Sequence, residues 1–153
     1  MQHKSIFTNK TSLLILRDPV RKLIEKLFEL ARAGDVDMAK PILEESINVN
    51  KRLTTQNLRT ILFEAAFYQQ GEFVDLLLQY KADVDAVDKL HRTPLHVSAI
   101  NNSYRVVQKL VDAKANPTKI DKARRAITFS CMFATVFLST GTNRSWSMNS
   151  GYY

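Results

Sequence analysis

A block of sequence returns after 33 residues, and this spacing constrains the fold more than any other feature of the chain. Residues 60–66 read TILFEAA and residues 93–99 read TPLHVSA, and the same offset relates Leu77 to Leu110. Self-similarity at a fixed period of roughly 20 to 50 residues is typical of repeat arrays, in which each unit is one supersecondary element. The sequence therefore predicts a stack of units that form their core between neighbours.

An earlier copy of the pattern precedes these two. It runs from Leu27 through Ala31 and Gly34 to residues 47–50, and it is offset by 35 residues from the next copy. The two additional residues are expected in the first connecting loop. The chain thus carries three copies of one unit, and a single domain is the natural expectation for 153 residues.

The third copy also contains a family signature. The residues Thr93-Pro94-Leu95-His96, together with the 33-residue period, are the ankyrin signature, and the chain resembles the ankyrin repeat family over about residues 27–121. The resemblance implies an all-α repeat solenoid, in which helix-turn-helix repeats stack and β-hairpin-like loops join them. It places the repeats at about residues 23–54, 55–87 and 88–121, within an array that covers residues 18–125.

The local chemistry of each copy agrees with helix pairs. In the third copy, Thr93 can cap a helix that begins at Pro94, where a missing N–H costs least. A second helix is indicated by an apolar face at helical spacing, formed by Val106, Val107, Leu110 and Val111. The second copy repeats this face with Phe73, Val74, Leu77 and Leu78. Each helix pair is too small to bury its own apolar face, so neighbours must cover it.

Several residues depart from the family pattern. Glycine is usual at the left-handed tip of the hairpin between repeats, because it tolerates a positive φ. The aligned residues here are Leu58, His91 and Arg124, and the turn glycine inside each repeat survives as Gly34 but becomes Gln69 and Asn102. We therefore expect irregular hairpins. Pro41 lies inside the second helix of the first copy and predicts a kink there, since proline removes one helical hydrogen bond.

The N-terminal end is expected to contain an additional helix. Asp18-Pro19 is typical of a helix start, and an apolar face that includes Leu23, Ile24 and Leu27 follows it. We expect this helix to cap the first repeat, and residues 1–17 to form a disordered N-terminal arm.

An apolar helical stripe follows the last repeat. Phe129, Phe133 and Phe137 recur with Met132 and Val136 at the spacing of one helix face. We interpret residues 126–138 as a degenerate half-repeat, or capping helix, because a stack needs a closing element. The alternative is an apolar helix that binds a partner or a membrane surface. Residues 139–153 are expected to form a disordered polar tail.

No motif in the sequence indicates catalysis. It lacks a phosphate-binding loop, a dinucleotide-binding glycine cluster and a His-Glu-x-x-His zinc helix. The resemblance implies a structural role for His96, while Cys131 lies in an apolar stretch that predicts a buried, unreactive thiol. A single cysteine excludes an internal disulfide and favours a reducing compartment. We expect no enzyme activity, no metal and no cofactor.

The resemblance places partner contacts at the hairpin tips and on the exposed side of each first helix. Positions aligned with these include Arg32, Ala33, Gln56 and Asn57. The predicted partner-binding residues are Arg59, Phe67, Tyr68, Lys89, Leu90, Arg92, Ile100, Asn101, Lys122 and Arg125. An apolar centre rimmed by arginine and lysine is typical of a protein-binding patch. The alternative is that Phe67 and Tyr68 simply pack between repeats.

The net charge of +7 lies at the two ends of the chain. All 15 acidic residues fall between Asp18 and Asp121, and the same segment holds 15 lysines and arginines. Within it, the hairpin stretches are rich in lysine and arginine, so the balancing acidity lies mostly on the helices. This distribution favours an acidic protein partner over bulk binding of nucleic acid.

These observations predict a non-catalytic protein–protein interaction module. We expect a monomeric adaptor or scaffold, soluble and located in the cytoplasm or nucleus, that binds an acidic, partly apolar segment of another protein in its concave groove. Two alternatives stay open. One is a nucleic-acid-associated or transcription-regulatory factor, and the other is a membrane-associated adaptor that uses residues 126–138.

Overall fold

Pairs of helices recur along the chain at the spacing of the sequence repeat. The computed structural model describes residues 10–45, 47–52 and 57–124, with side chains from Pro19 onward. The helices of this part are α1 (Lys10–Ala33), α2 (Val36–Glu44), α3 (Ile61–Phe67), α4 (Gly71–Gln79), α5 (Pro94–Ile100) and α6 (Tyr104–Asp112). Helices α1, α3 and α5 contact one another in sequence as one row, and α2, α4 and α6 form a second row behind it. The predicted all-α repeat solenoid is confirmed.

Threonine caps begin the first-row helices of the second and third repeats. The Thr60 hydroxyl accepts a hydrogen bond from the backbone N–H of Phe63 at 3.3 Å. The Thr93 hydroxyl accepts one from the N–H of His96 at 3.3 Å, and the His96 Nδ1 accepts one from the N–H of Thr93 at 3.2 Å. This reciprocal pair is a capping box in which histidine takes the place of the usual acidic or amide side chain. The predicted cap at Thr93 and the structural role of His96 are confirmed.

The core lies between the two rows of helices and between successive repeats. Small side chains such as Ala65 and Ser98 are fully buried in the first row, which lets those helices approach closely. The large side chains that are almost inaccessible to solvent are Leu27, Ile61, Leu62, Phe63, Phe73, Val74, Leu77, Leu95, Val97, Val106, Val107 and Leu110. The apolar faces predicted for α4 and α6 are therefore confirmed, with Leu78 and Val111 at their half-buried edges.

Left-handed backbone recurs at equivalent positions whether or not glycine is present. Leu58, His91 and Arg124, at the turns between repeats, have φ values of 53°, 59° and 59°. The turns inside the repeats also have positive φ, at Gly34, Gln69 and Asn102, as do Lys81 and Lys114 after the second helices. The expectation of irregular hairpins is wrong at these positions, because the φ values repeat closely from turn to turn.

Hydrogen bonds explain how non-glycine residues are held in this conformation. In the turn at residues 88–92, the Asp88 carboxylate accepts from the N–H groups of Leu90 and Arg92 at 2.8 and 2.9 Å. The N–H of His91 donates to the Asp88 carbonyl at 3.0 Å, which closes the turn. The surrounding bonds therefore determine a backbone angle that the side chain alone disfavours.

We expect His91→Gly to raise the free energy of unfolding by about 0.5–1 kcal/mol. Left-handed backbone costs an ordinary side chain about 1–2 kcal/mol, and the greater freedom of glycine in the unfolded chain offsets part of the gain. Urea denaturation followed by circular dichroism measures the change. Gly34→Ala is the control of opposite sign, because Gly34 has φ +80° and an added Cβ would lie 2.7 Å from the Gln70 Cδ. Lower stability of His91→Gly would show that the turn carries no such strain.

The N-terminal helix begins earlier than the sequence indicated. Helix α1 starts at Lys10 and contains Pro19, so the boundary expected between residues 17 and 18 is wrong for residues 10–17. Residues 13–16 are leucine and isoleucine, which are compatible with a helix, so the helix can extend before Pro19. Pro19 does not end it, because one proline removes only one helical hydrogen bond. Helix α2 likewise continues past Pro41 to Glu44. Residues 1–9 and 125–153 lie outside the described residues, so the remainder of the arm, Cys131, the helix at 126–138 and the tail at 139–153 stay predictions.

Candidate functional site

The predicted contact residues lie on two sets of elements that meet. The first set is the three turns between repeats, at residues 57–59, 88–92 and 121–124, which we call the fingers. The second set is the C-terminal ends of the first-row helices α1, α3 and α5, and we call the combined surface the groove face. Arg59 of the first finger lies with its Cζ 4.9 Å from the ring centroid of Phe67 at the end of α3, which joins the two sets. Arg125 lies outside the described residues.

Backbone hydrogen bonds hold the fingers in a row. The N–H of Lys89 donates to the carbonyl of Asn57 at 3.1 Å, and the N–H of Lys122 donates to the carbonyl of Leu90 at 2.9 Å. The second and third fingers are thus each bonded to the finger before them. The side chains of Lys89 and Lys122 are exposed, so the row presents cations toward solvent.

Three large apolar side chains of the groove face are exposed. Tyr68, Leu90 and Ile100 retain 45%, 50% and 59% of their accessible surface. Tyr68 makes an edge contact with Phe67, with ring centroids 5.3 Å apart and an interplanar angle of 72°. Solvent-exposed apolar groups beside cations are the features that the sequence predicted for a binding patch.

Other predicted contact residues form hydrogen bonds or packing contacts within the protein. Arg92 donates from Nη2 and Nε to the buried Asp88 carboxylate at 2.6 and 3.0 Å. The side-chain amide of Asn101 donates to the backbone carbonyl of Phe67 at 2.8 Å, which ties the third repeat to the second. Phe67 is half-buried. These side chains shape the groove face, and their contact with a partner stays a prediction.

A buried carboxylate beneath the groove face escaped the sequence analysis. Glu64 has only 6% of its side chain exposed, and its Oε1 accepts from the Arg59 Nη1 at 3.1 Å. Its Oε2 lies 3.5 Å from the Nε of Arg32, whose Cζ is 6.0 Å from the ring centroid of Tyr68. The aligned residue in the next repeat is Val97. A charge at a position that is apolar in the following copy is the signal that could have revealed it.

A cavity of about 510 Å³ lies between the N-terminal ends of α4 and α6. Its lining includes Gly71, Ser103 and Arg105. A side-chain hydrogen bond and charge interaction with Tyr104 raise the pKa of Arg105 above its ordinary value, which leaves the guanidinium fully protonated. No predicted contact residue lines this cavity.

The described part of the chain contains neither a cluster of metal-binding side chains nor a membrane-spanning helix. No three His, Cys, Asp or Glu side chains are grouped there so as to hold a metal ion. None of the helices within residues 10–45, 47–52 and 57–124 is both long and apolar enough to cross a bilayer.

Comparison with known proteins agrees with the geometry. A family model described as ankyrin repeats, in three copies, matches residues 27–121. The chain is 38% identical over 109 residues to the ARF GTPase-activating protein Git of Drosophila melanogaster, covering 71% of this chain and 14% of that protein. It is 30% identical over 126 residues to protein lin-12 of Caenorhabditis elegans, covering 77% of this chain and 8% of that protein.

A plant relative is similar over a shorter region. The chain is 30% identical over 94 residues to the E3 ubiquitin-protein ligase XB3 of Oryza sativa subsp. japonica, covering 61% of this chain and 21% of that protein. The chain therefore spans less than a quarter of the length of each of these three relatives.

Proposed function

Because the chain belongs to the ankyrin repeat family, whose members are generally non-catalytic protein-interaction modules, we propose that it is an adaptor or scaffold. In this proposal the groove face binds an acidic, partly apolar segment of another protein. The ubiquitin ligase and the GTPase-activating protein among its relatives are much longer than this chain, so their names describe those whole proteins.

The exposure of Tyr68, Leu90 and Ile100 on one surface is the observation that supports this function. Burying an apolar side chain of this size contributes about 1.5–3 kcal/mol, so leaving three of them in water forgoes stability that a partner can recover. Lys89 and Lys122 on the fingers supply positive charge beside them. Apolar anchors within a cationic rim fit a segment that carries both acidic and apolar side chains.

We expect the double variant Tyr68→Ala/Ile100→Ala to capture at least about tenfold less partner than the wild-type protein, because tyrosine is a frequent binding anchor and burial of the isoleucine side chain adds apolar contact. Affinity capture from native cells followed by mass spectrometry identifies the partner and measures the loss. Phe67 is left intact, since it is half-buried and its carbonyl accepts the Asn101 bond. Its truncation would combine effects on folding and binding.

The matched control is Val20→Ala/Tyr104→Ala. It removes one aliphatic and one tyrosine side chain, which are 52% and 47% exposed and lie outside the groove face. We expect this control to capture the partner normally and both double variants to melt close to the wild type. Equal loss of capture in the two double variants, or full capture by the groove variant, would refute the assignment of the groove face.

A further inference from the structure

The groups around Glu64 form a charge cluster that spans the first two repeats. Arg32 comes from the last turn of α1, Arg59 from the first finger and Glu64 from α3. Two guanidinium groups thus face one carboxylate, which leaves the cluster with an excess of one positive charge. One repeat further along, Val97 and Phe67 occupy the positions of Glu64 and Arg32, so the cluster is a local feature of this part of the groove face.

Stability alone does not account for this arrangement. Taking a carboxylate out of water is costly, and replacing a buried ion pair by apolar side chains is often neutral or stabilising. Val97 shows that the fold accepts an apolar residue at this position, where it is 2% exposed. Proteins usually keep a buried charge at an otherwise apolar position at functional sites, so Glu64 points to a binding role.

Arg32 differs from Arg59 in how much of it faces solvent. The Arg59 side chain is 17% exposed, hydrogen-bonded to Glu64 and covered by the rings of Phe63 and Phe67. The Arg32 side chain is 51% exposed, and its contact with Glu64 is longer, at 3.5 Å. Its two terminal nitrogens make no hydrogen bond to the described residues. Arg32 therefore keeps two terminal nitrogens that can donate parallel hydrogen bonds to the two oxygens of one carboxylate.

We infer that Arg32, oriented by Glu64 and lying over Tyr68, binds an aspartate or glutamate side chain of the partner segment. This inference rests on the proposed function, and it names the residue that selects an acidic partner. The same partner segment places an apolar side chain on the exposed ring of Tyr68. Arg32 thus fixes the position of the acid relative to the apolar residue, whereas the exposed lysines add attraction without a fixed geometry.

A phage-displayed library of random linear peptides, selected on the full chain, tests this inference. We expect the enriched peptides to share an aspartate or glutamate at a fixed distance from a large apolar residue. A synthetic peptide from this set is then compared with its acid-to-amide counterpart by fluorescence anisotropy. On the wild-type protein the amide peptide should bind about tenfold more weakly, the size of a charge-assisted hydrogen bond.

The variant Arg32→Gln should remove most of this tenfold difference and leave only the weak preference for acid that the exposed lysines supply. Lys89→Gln is the matched control and should preserve the tenfold difference, because the exposed Lys89 side chain is not among the groups that face Glu64. Glu64→Gln tests the positioning role, and it should yield enriched acids that no longer occupy one fixed position. A tenfold acid-to-amide loss that persists in full on Arg32→Gln, or a fixed acid position that persists on Glu64→Gln, would overturn the inference.

Failure of the inference is separable from failure of the proposed function. If the selected peptides require Tyr68 and Ile100 but ignore Arg32, the groove face binds partners and the inference about Arg32 is wrong. If they bind the Tyr68→Ala/Ile100→Ala variant as tightly as the wild type, the assignment of partner binding to the groove face is wrong. A selection that enriches no peptide family contradicts both.

Discussion

Replacing Arg32 and Arg59 together by methionine is expected to lower the free energy of unfolding by about 3–5 kcal/mol. The two substitutions remove both cations that face Glu64, and a buried charge without a partner costs energy in this range. Methionine retains an unbranched stem of similar length, so the packing of these side chains against Phe63, Phe67 and Tyr68 is largely kept. Urea denaturation monitored by far-UV circular dichroism gives the change directly.

Adding Glu64→Val to this double variant is expected to restore most of the lost stability. Valine already occupies the aligned position 97 in the next repeat, where it is 2% exposed. The rescued triple variant should fold but lose the acid preference proposed for Arg32. Absence of rescue would mean that the arginines stabilise the repeats by packing, and that the charge of Glu64 is unimportant.

Leu77→Ala is the second substitution with a large expected effect. Leu77 is 0% exposed in α4, the second-row helix that contacts both α2 and α6. Shortening it leaves a cavity, and substitutions of this kind cost about 2–5 kcal/mol. We expect a loss of about 3–4 kcal/mol, which is a large part of the stability of a small domain.

The position of Leu77 in the middle repeat makes the whole array sensitive to this change. Each repeat is stabilised by its neighbours, so weakening the central one weakens its interfaces on both sides. Met38→Ala on α2 is the control, because Met38 is 58% exposed and its truncation should change stability by less than about 0.5 kcal/mol. A similar small effect for Leu77→Ala would show that the two rows pack loosely around α4.

Much of the fold could be predicted because its determinants are local and periodic. The 33-residue offset identified the unit, and Thr93 with Pro94 identified a helix start from two neighbouring residues. The apolar faces of α4 and α6 followed from spacing along one helix. All of these are properties of short segments, and the same residue pattern recurs in successive copies of the repeat.

Features that depend on contacts between repeats were harder to predict. The turn at His91 was expected to be irregular because it lacks glycine, yet hydrogen bonds from the Asp88 carboxylate hold it in the left-handed region. Helix α1 was expected to begin near Pro19, although the preceding residues continue the same helix. In both cases the local preference of one residue was outweighed by its surroundings.

The candidate site was predictable in outline and less so in detail. Alignment of the repeats identified Tyr68, Leu90 and Ile100, which are exposed as a binding surface requires. The same alignment could not show that Arg92 is engaged by Asp88, since that contact depends on how the finger folds. It also gave no reason to connect Glu64 with Arg32, which lies 32 positions earlier in the chain.

The spacing of the first-row helices sets the spacing of contacts along an extended ligand. Neighbouring helices pack about 8–10 Å apart, and an extended polypeptide advances about 3.3 Å per residue. Successive repeats therefore meet such a ligand at intervals of roughly three residues. Arg32 and Ile100 occupy equivalent positions two repeats apart, so a ligand that engages both would carry its acidic and aliphatic groups about six residues from each other.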